Sequence, residues 1–361
     1  MNGPRSLEQL VTPAAIVDVD TMAANLDRMA SYTSAHQLDL WPHTKTHKTP
    51  ELAREQLRRG ARGVTVATLH EAETMAEVAD HILIAYPVIG TPKLRRLVAL
   101  AEETRVTVAL DSIAALTELR DSGARVGVLV EVDAGMHRVG VTEPLRAVEI
   151  ARAVADVPQL EYRGVMFYPG HIREAVNEQQ PVIRQTSARL EEFLGALARA
   201  DLAPQRVSGG STPTATHSHF MQHVTEIRPG TYIFNDRTTA AIGACQWSEC
   251  AYTVLATVIS TSIAGQVAVD AGSKALSREE IRGADAPGLG ALFDRPDVYV
   301  KALSEEHGLL DITGSDWRPQ VGERVRIVPN HVCVSVNLHE RLWLVRGDEI
   351  VGSYEVRARG W

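Results

Sequence analysis

The sequence is poor in aromatic residues and cysteines and has no long hydrophobic run, and each scarcity excludes a class of protein. Phe, Trp and Tyr make up 5% of the 361 residues, and three cysteines are too few for a disulfide framework. No apolar run approaches the roughly 20 residues that a membrane helix needs. The first residues, Met1 to Leu10, lack the apolar core of a signal peptide. We therefore predict a cytoplasmic protein with no membrane partner.

An excess of positive charge is also absent. The chain has 37 Lys and Arg residues against 45 Asp and Glu residues, which gives a formal net charge of -8. A nucleic-acid-binding protein usually carries a basic surface, so the composition argues against that class. With 45% hydrophobic and 23% charged residues, the chain can bury a large core. The composition therefore predicts no nucleic-acid partner.

Eight short runs rich in Val and Ile alternate with amphipathic segments over the first two thirds of the chain. Runs that are apolar throughout are typical of parallel strands covered on both faces. Helix start signals such as Thr49-Pro50 and Thr91-Pro92 lie between them. The pattern favours a (β/α)8 barrel over the alternative, a doubly wound sheet. The predicted strands are Leu38–His43, Gly63–Thr68, Ile82–Val88, Val106–Asp111, Val126–Asp133, Tyr162–Tyr168, Gln205–Gly209 and Glu226–Tyr232.

After about Ala241 the helical patterns nearly vanish, and β-forming runs separated by turn residues replace them. We predict an all-β domain here, and we expect Pro13–Val19, which precedes the first barrel helix, to pair with it. The expected boundaries are residues 22–241 for the barrel and residues 1–21 plus 242–361 for the β domain. The predicted strands are Tyr252–Ser262, Gln266–Ala271, Arg324–Val328, Val332–Asn337, Leu342–Val345 and Ile350–Val356.

The segment Trp41–Lys48, with the sequence WPHTKTHK, is the densest group of reactive side chains. It falls at the carboxyl end of the first predicted barrel strand, where barrel active sites are built. A lysine at such a position can form a Schiff base if its ammonium is partly desolvated or lies near other cations. A solvated basic turn is the alternative interpretation.

Loops at the ends of other predicted strands carry polar residues on the same barrel face. Val207–Thr214 and Arg228–Tyr232 follow strands seven and eight, where barrels often bind phosphate. Successive amides and hydroxyls in such loops form an anion nest, although ordinary loops remain the alternative. Glu131–Arg138 and Tyr168–His171 follow strands five and six. An arginine at a strand end can face a ring or a carboxylate.

His331 and Cys333 form a candidate metal site near the end of the chain. If the run Val332–Val336 is a strand whose valines face the protein core, then His331, Cys333 and Ser335 share its other face. An imidazole and a thiolate suit zinc. Two ligands are too few for a structural site but suit a Lewis-acid site completed by water or substrate. The alternative is a half-buried cysteine beside a hydrogen-bonded histidine.

Two other groups are interpreted as having no metal role. His219 and His223 have helical spacing, but no acidic residue lies between them as in a zinc-protease helix. The segment is expected simply to link two barrel strands. Cys245 and Cys250 have no paired cysteine motif nearby, and we interpret them as small apolar residues.

Six segments in order along the chain carry a family resemblance: Thr12–Asp18, Pro42–Lys48, Gly135–Arg138, Ser208–Thr214, Pro229–Tyr232 and His331–Cys333. They resemble the D-threonine aldolase / D-serine dehydratase family, which belongs to the alanine-racemase-like, fold type III class of pyridoxal phosphate (PLP) enzymes. The resemblance covers nearly the whole chain. It implies an N-terminal barrel that holds PLP and a C-terminal β domain that supplies a divalent metal, Zn²⁺, Mn²⁺ or Mg²⁺.

The resemblance also implies roles for individual residues. Lys45 is implied to be the Schiff-base lysine, and His171 is a candidate catalytic base. His331 and Cys333 are implied to hold the metal. The implied cofactor-binding residues are Lys45, Arg138, Tyr168, Ser208, Gly209, Gly210, Thr212, Gly230, Thr231 and Tyr232. His307 is a candidate for the substrate pocket, and the class usually forms homodimers.

The residue at position 333 bears on the reaction. Aldolases of this family often have Asp where this chain has Cys333, whereas dehydratases typically have Cys, and a thiolate favours zinc over Mn²⁺ or Mg²⁺. The other motifs are closer to the aldolases, so we predict a D-threonine aldolase-type lyase that cleaves β-hydroxy-D-amino acids to glycine and an aldehyde. The alternatives are a D-serine or D-threo-3-hydroxyaspartate dehydratase that forms a 2-oxo acid and ammonia, a racemase, and a non-catalytic PLP-binding protein.

Overall fold

The computed structural model describes residues 3–361, which contain 17 strands and ten α-helices. Met1 and Asn2, which the sequence prediction assigns to the β domain, lie outside the described residues. The strands are β1 (Ala14–Asp18), β2 (Asp39–Leu40), β3 (Val64–Val66), β4 (His81–Ile84), β5 (Arg105–Leu110), β6 (Val126–Glu131), β7 (Leu160–Met166), β8 (Arg206–Gly209), β9 (Glu226–Ile227), β10 (Tyr252–Ser260), β11 (Gln266–Val269), β12 (Gly290–Leu292), β13 (Tyr299–Leu303), β14 (Gly308–Asp311), β15 (Arg324–Pro329), β16 (Arg341–Arg346) and β17 (Glu349–Glu355). The helices are α1 (Val19–Ala35), α2 (Pro50–Arg58), α3 (Leu69–Met75), α4 (Thr91–Glu103), α5 (Ile113–Ser122), α6 (Pro144–Ala155), α7 (Gln180–Arg199), α8 (Arg237–Ala241), α9 (Ser273–Leu276) and α10 (Val332–Leu338).

The chain divides into two compact units. The β unit contains the described residues up to Arg28 together with Thr231–Arg357, and the barrel unit contains Met29–Gly230 and Ala358–Trp361. Within the part of the chain that the structure describes, no helix is long and apolar enough to cross a membrane.

The barrel unit is built on eight parallel strands in the order β2-β9-β8-β7-β6-β5-β4-β3. The amide of Thr65 donates to the carbonyl of Pro42 at 2.9 Å, and the amide of Arg62 donates to the carbonyl of Leu40 at 2.9 Å. These bonds join the two edges, so the sheet closes into the predicted (β/α)8 barrel. Large side chains such as Trp41 and Leu83 fill the interior, which explains why the strands are apolar on both faces.

All eight predicted barrel strands are present, and most are shorter than predicted. The first covers only Asp39–Leu40 and the eighth only Glu226–Ile227, because both chains leave the sheet early and turn into short 3-10 helices. Those helices cover Thr44–Thr46 and Thr231–Ile233. The side chains of Thr68 and Ser112 cap α3 and α5, as is typical for residues that precede a helix. The sequence therefore locates the strands, and the carboxyl ends of the strands become the loops of the candidate site.

The β unit is a nine-stranded sheet in the order β11-β14-β13-β12-β15-β10-β1-β16-β17, and an additional β10–β11 pairing closes six of these strands into a ring. β1 lies between β10 and β16, so the prediction that Pro13–Val19 pairs with this domain is confirmed. Every pairing is antiparallel except that of β1 with β16.

The predicted strand Val332–Asn337 is wrong, because this segment is helix α10. His331 precedes the helix in an extended conformation, and the Asp236 carboxylate accepts the amide of Val332 at 3.1 Å. Val332 and Val336, four residues apart, bury the same helix face. The alternation argument therefore fails for Ser335, whose hydroxyl is buried and donates to the carbonyl of Ala275 at 2.7 Å.

Four short elements of the β unit were not predicted from the sequence. Strands β12, β13 and β14 and helix α9 each contain three to five residues and are separated by charged or glycine-rich turns. Segments this short carry too few alternating positions for a periodicity to be recognised.

Candidate active site

Lys45 lies in a tight turn at the carboxyl end of β2. His43 makes an isolated parallel bridge to Thr65 and then caps the 3-10 helix that carries the lysine. The Lys45 side chain is half-buried, and its Nζ lies 5.8 Å from the ring centroid of Tyr168, which follows β7. The barrel thus brings together two loops that are far apart in the sequence, as expected for the catalytic face of this architecture.

Arg138 approaches the same aromatic ring. Its guanidinium carbon lies 5.2 Å from the Tyr168 centroid. The loop that presents it is shaped by Asp133, whose Oδ1 accepts the amides of Gly135 at 2.9 Å and His137 at 3.0 Å. Two cations therefore lie within cation–π range of one tyrosine. The structure thus brings together three of the residues predicted for the cofactor site.

The two lysines of this turn have different environments. Lys48 is buried, and its ammonium donates to Glu71 Oε1 at 2.7 Å and to the carbonyl of Ala358 at 3.2 Å. Among the described residues, no hydrogen bond or ion pair engages the Lys45 ammonium. Lys45 is therefore the amine of this segment that is free to react.

Three cationic side chains lie close enough to His43, in the turn that carries Lys45, to affect its ionisation. Burial, together with the charges of Lys45, Arg228 and Lys48, holds the pKa of His43 well below its usual value. The imidazole is consequently neutral at physiological pH and adds no further positive charge. An anionic ligand would relieve the repulsion among these cations.

The glycine loops after β8 and β9 offer unused backbone donors. Gly210 and Gly230 are buried, and neither amide donates a hydrogen bond to another described residue. A Cβ on Gly230 would lie 2.6 Å from Thr46 Oγ1, so the absence of a side chain lets this turn approach the Lys45 turn. Buried amides beside a basic turn fit the phosphate of a cofactor.

The remaining predicted cofactor residues occupy the same strand ends or their continuation. Ser208 is buried at the end of β8, and its hydroxyl accepts a hydrogen bond from Arg228. Gly209 packs against the Phe167 ring. Thr212 and Tyr232 are buried, and Thr231 is half-buried at the start of its 3-10 helix.

Arg228 and Glu131 are buried charged residues that sequence reasoning did not assign a role. Arg228 donates to the hydroxyl of Ser208 and, at 2.8 Å, to the carbonyl of Phe167. Glu131 ends β6, and its Oε2 has no hydrogen-bond partner among the described residues. Burial raises the pKa of Glu131 to about 7, while Arg228 opposes and Asp111 adds to the shift. An ionisable group at the end of an otherwise apolar strand is the signal that the sequence offered.

We predict that Glu131→Gln increases stability above pH 7. The folded protein keeps the Glu131 proton up to about pH 7, whereas the unfolded chain loses it near pH 4.5, so the free energy of unfolding of the wild type falls across that interval. The difference in free energy of unfolding between the variant and the wild type should therefore shift by about 3 kcal/mol in favour of the variant between pH 4 and pH 8. Urea unfolding of both cofactor-free proteins at the two pH values measures this, and parallel pH profiles would contradict it.

His171 lies beside the Arg138 loop. Its Nε2 is 3.2 Å from Thr186 Oγ1, and its ring packs against Gly135, where a Cβ would approach to 2.8 Å. Burial lowers the pKa of His171, and its buried Nδ1 has no partner among the described residues. No hydrogen bond or ion pair of the described chain joins it to Lys45. The lowered pKa keeps the imidazole neutral at physiological pH.

The predicted metal ligands lie together in the β unit. The Cys333 thiol hydrogen-bonds the imidazole of His331, and His331 Nδ1 lies 3.2 Å from Asp236 Oδ2. Burial disfavours the charged imidazole, but Cys333 and Asp236 outweigh it and raise the pKa of His331 well above its usual value. Thr231 Oγ1 lies 3.8 Å from Cys333 Sγ.

The donor set fits one divalent ion with open coordination positions. Asp236, which also caps α8, holds His331 as carboxylates commonly hold metal-bound histidines. Sequence reasoning missed it, although an Asp directly before a helix is a recognisable capping signal. In the described part of the chain, no group of three or more His, Cys, Asp or Glu side chains could bind a metal. A site with two protein donors leaves room for water or substrate.

The other sequence candidates lie elsewhere. His219 Nδ1 lies 2.9 Å from the hydroxyl of Tyr32, and the His219 ring stacks on His36. Cys245 and Cys250 are buried free thiols, in line with their interpretation as small core residues. His307 is exposed in the turn between β13 and β14.

Comparison with known proteins identifies the lineage of this barrel. The family model described as the alanine racemase N-terminal domain matches residues 17–238. The chain belongs to this family. In this family member, a second model, described as a putative serine dehydratase domain, matches residues 251–345.

Several relatives of this family member match it along nearly their whole length. The D-threonine aldolase of Arthrobacter sp. is 31% identical over 98% of this chain and 94% of its own length. The D-threo-3-hydroxyaspartate dehydratase of Delftia sp. is 32% identical over 99% of both chains. A solved structure of a D-threo-3-hydroxyaspartate dehydratase variant in a metal-free form has a TM-score of 0.90 and 31% identity, covering 99% of this chain and 100% of the other. Aldolases and dehydratases are both lyases, and the prediction of a lyase of the alanine-racemase-like class is confirmed.

Proposed function

We propose that the chain is a PLP- and divalent-metal-dependent lyase of the D-threonine aldolase type, which cleaves β-hydroxy-D-amino acids to glycine and an aldehyde. One observation carries the proposal: Lys45, the uncommitted amine at the end of β2, meets Arg138 around the ring of Tyr168. The aldolase and dehydratase relatives support the same class of substrate.

Lys45 is proposed to bond PLP covalently, with Arg138 and Tyr168 bordering its ring. The phosphate is proposed to accept hydrogen bonds from the buried amides of Gly210 and Gly230, together with other residues of the loops after β8 and β9. When bound, PLP withdraws electrons from the Cα atom of an attached amino acid. The proposed phosphate ligands are Ser208, Gly209, Gly210, Thr212, Gly230, Thr231 and Tyr232.

Two protein side chains, His171 and Lys45, would carry out the proton transfers. His171 is proposed to take the β-hydroxyl proton, because its lowered pKa keeps the ring neutral and able to accept a proton. The Cα–Cβ bond then breaks, and Lys45 is proposed to return a proton to Cα, which yields glycine.

His331 and Cys333 are proposed to hold the divalent metal, with Asp236 fixing the orientation of the imidazole. The metal would act as a Lewis acid toward the β-hydroxyl oxygen of the substrate. The thiolate makes zinc the preferred ion over Mn²⁺ or Mg²⁺.

A dehydratase of D-serine or D-threo-3-hydroxyaspartate is the second candidate, and Cys333 is the observation that favours it. In that reaction Lys45 would remove the Cα proton and the hydroxide would leave from Cβ, giving a 2-oxo acid and ammonia. The same side chains would serve both reactions, so the fate of the Cα–Cβ bond decides between them.

A product assay distinguishes the two reactions. We expect the protein, incubated with D-threonine, PLP and Zn²⁺ or Mn²⁺, to release glycine and acetaldehyde rather than 2-oxobutanoate and ammonia. The assay should be repeated with D-serine and D-3-hydroxyaspartate. Formation of the 2-oxo acid would establish the dehydratase, and the absence of both product pairs with all three substrates would refute a lyase.

From the sequence patterns we also propose a cytoplasmic location and domain boundaries at residues 22–241 and 1–21 plus 242–361. The homodimer is proposed from the family resemblance. Light scattering coupled to size-exclusion chromatography tests the homodimer directly. A monomer at micromolar concentration would contradict it.

A further inference from the structure

Lys48 occupies a backbone conformation that a lysine rarely adopts. Its φ is 54°, in the left-handed region that favours glycine. The residue follows the Lys45 turn directly, and its amide donates to the carbonyl of Thr44 at 2.7 Å. Such a conformation persists only where the surroundings hold it in place, which makes the contacts of Lys48 informative.

Three contacts hold Lys48. Its ammonium donates to Glu71 Oε1 at 2.7 Å and to the carbonyl of Ala358 at 3.2 Å, and its own carbonyl accepts the amide of Ala358 at 3.0 Å. Lys48 and Glu71 are both buried, at 9% and 1% exposure. A buried ion pair seldom adds much stability over apolar residues of similar size, so its presence calls for another reason.

Glu71 connects the pair to the strand beside the Lys45 turn. Its second oxygen, Oε2, accepts the amide of Ala67 at 2.6 Å, directly after β3. The other end of the turn is attached to the same strand through the bridge from His43 to Thr65. The Lys45 turn, residues 43–48, is therefore connected to the end of β3 at both its first and its last residue.

We propose that Lys48 and Glu71 are positioning residues, which hold the Lys45 turn so that its amine and the adjoining Gly230 amide face one bound PLP molecule. This inference rests on the proposed function, because it takes Lys45 as the cofactor lysine. Ala358 contributes to the same positioning, since both its amide and its carbonyl form hydrogen bonds with Lys48.

Two variants separate positioning from folding stability. Glu71→Gln leaves the Lys48 charge buried without its partner, so it should weaken both folding and PLP binding. The double variant Lys48→Met/Glu71→Leu removes both charges and keeps the volume, so its free energy of unfolding should return to near that of the wild type. Neither new side chain can bond Ala358 or Ala67, so its affinity for PLP should stay about tenfold lower than in the wild type.

Glu73→Gln is the matched control. Glu73 lies two residues further along α3 and pairs with Arg96 at 2.8 Å on the surface. Loss of this exposed pair should change the PLP dissociation constant by less than about twofold. The dissociation constants come from titration of the cofactor-free proteins with PLP, followed by the visible absorbance of the bound cofactor, and stability comes from urea unfolding.

The two hypotheses fail in different ways. If the wild type forms no PLP complex that depends on Lys45, the proposed function is refuted. If the wild type forms that complex and the stable double variant binds PLP as tightly as the wild type, the positioning role is overturned. A weakened double variant with wild-type stability supports it, and a double variant as unstable as Glu71→Gln would show that the pair serves folding alone and would overturn it too.

Discussion

Replacement of Lys45 by alanine is expected to eliminate the visible absorbance band of bound PLP and to reduce turnover by at least about 1,000-fold. The reason is that Lys45 provides the uncommitted amine at the carboxyl end of β2, whereas the Lys48 ammonium is bonded to Glu71 and Ala358. Spectra of the cofactor-supplemented variant, combined with the product assay on D-threonine, measure both effects.

Lys93→Ala is the control for Lys45→Ala. Lys93 also places its ammonium over a tyrosine ring, 5.3 Å from the centroid of Tyr86, and lies in the same unit of the chain. Lys93→Ala is expected to keep the band and the activity, since helix α4, which carries Lys93, contains none of the proposed cofactor ligands. Because Lys45 has no ion pair among the described residues, its removal should alter the free energy of unfolding by no more than about 1 kcal/mol. A Lys45→Ala variant that retains the band would refute the assignment.

Replacement of His331 by alanine is expected to abolish turnover while the PLP band persists. The variant loses one of two protein donors, and the remaining thiol of Cys333 cannot hold a divalent ion alone at micromolar metal. We expect bound zinc, measured by elemental analysis after dialysis, to fall to background. The PLP band should persist because His331 is not among the proposed cofactor ligands.

His339→Ala supplies the comparison on the same helix. His339 directly follows α10, and its Nε2 hydrogen-bonds the carbonyl of Ala275 at 3.1 Å. Its loss should leave the zinc content and turnover close to those of the wild type. Cys333→Asp should keep a metal but shift the preference toward Mn²⁺ or Mg²⁺, because a carboxylate is a harder ligand than a thiolate. Full activity of His331→Ala without metal would remove the ion from the mechanism.

The barrel could be predicted from the sequence because its signals are local. Each strand is a short run of apolar residues, and capping residues such as Thr68 and Ser112 mark where the next helix begins. The segment Val332–Leu338 shows where this fails. Its alternating valines match a strand, yet valines four residues apart also match a helix face. The helix that forms has the amide of Val332 bonded to the distant Asp236, a contact that no local pattern reveals.

The candidate site could be predicted in its reactive groups but not in their supports. Lys45, Arg138 and Tyr168 are recognisable because each lies at or just after the end of a predicted strand and carries chemistry that an ordinary loop does not need. Glu71 lies within helix α3 and Arg228 directly follows β9, and in neither place does the residue type by itself indicate a role. Their importance comes from burial and from partners distant in the sequence, which no local pattern reveals.

The position of β1 has a consequence for biosynthesis. Ile16 pairs with Thr253 on one side and with Trp343 on the other, so this strand lies inside the sheet of the β unit. All the barrel strands lie between β1 and these two partners in the chain, and they can be completed while the β unit still lacks its last strands. Pairings over such separations form slowly, and the apolar residues Ala14–Val17 stay uncovered until they do. Strand β1 thus precedes all the barrel strands in the chain and is among the last strands to be paired.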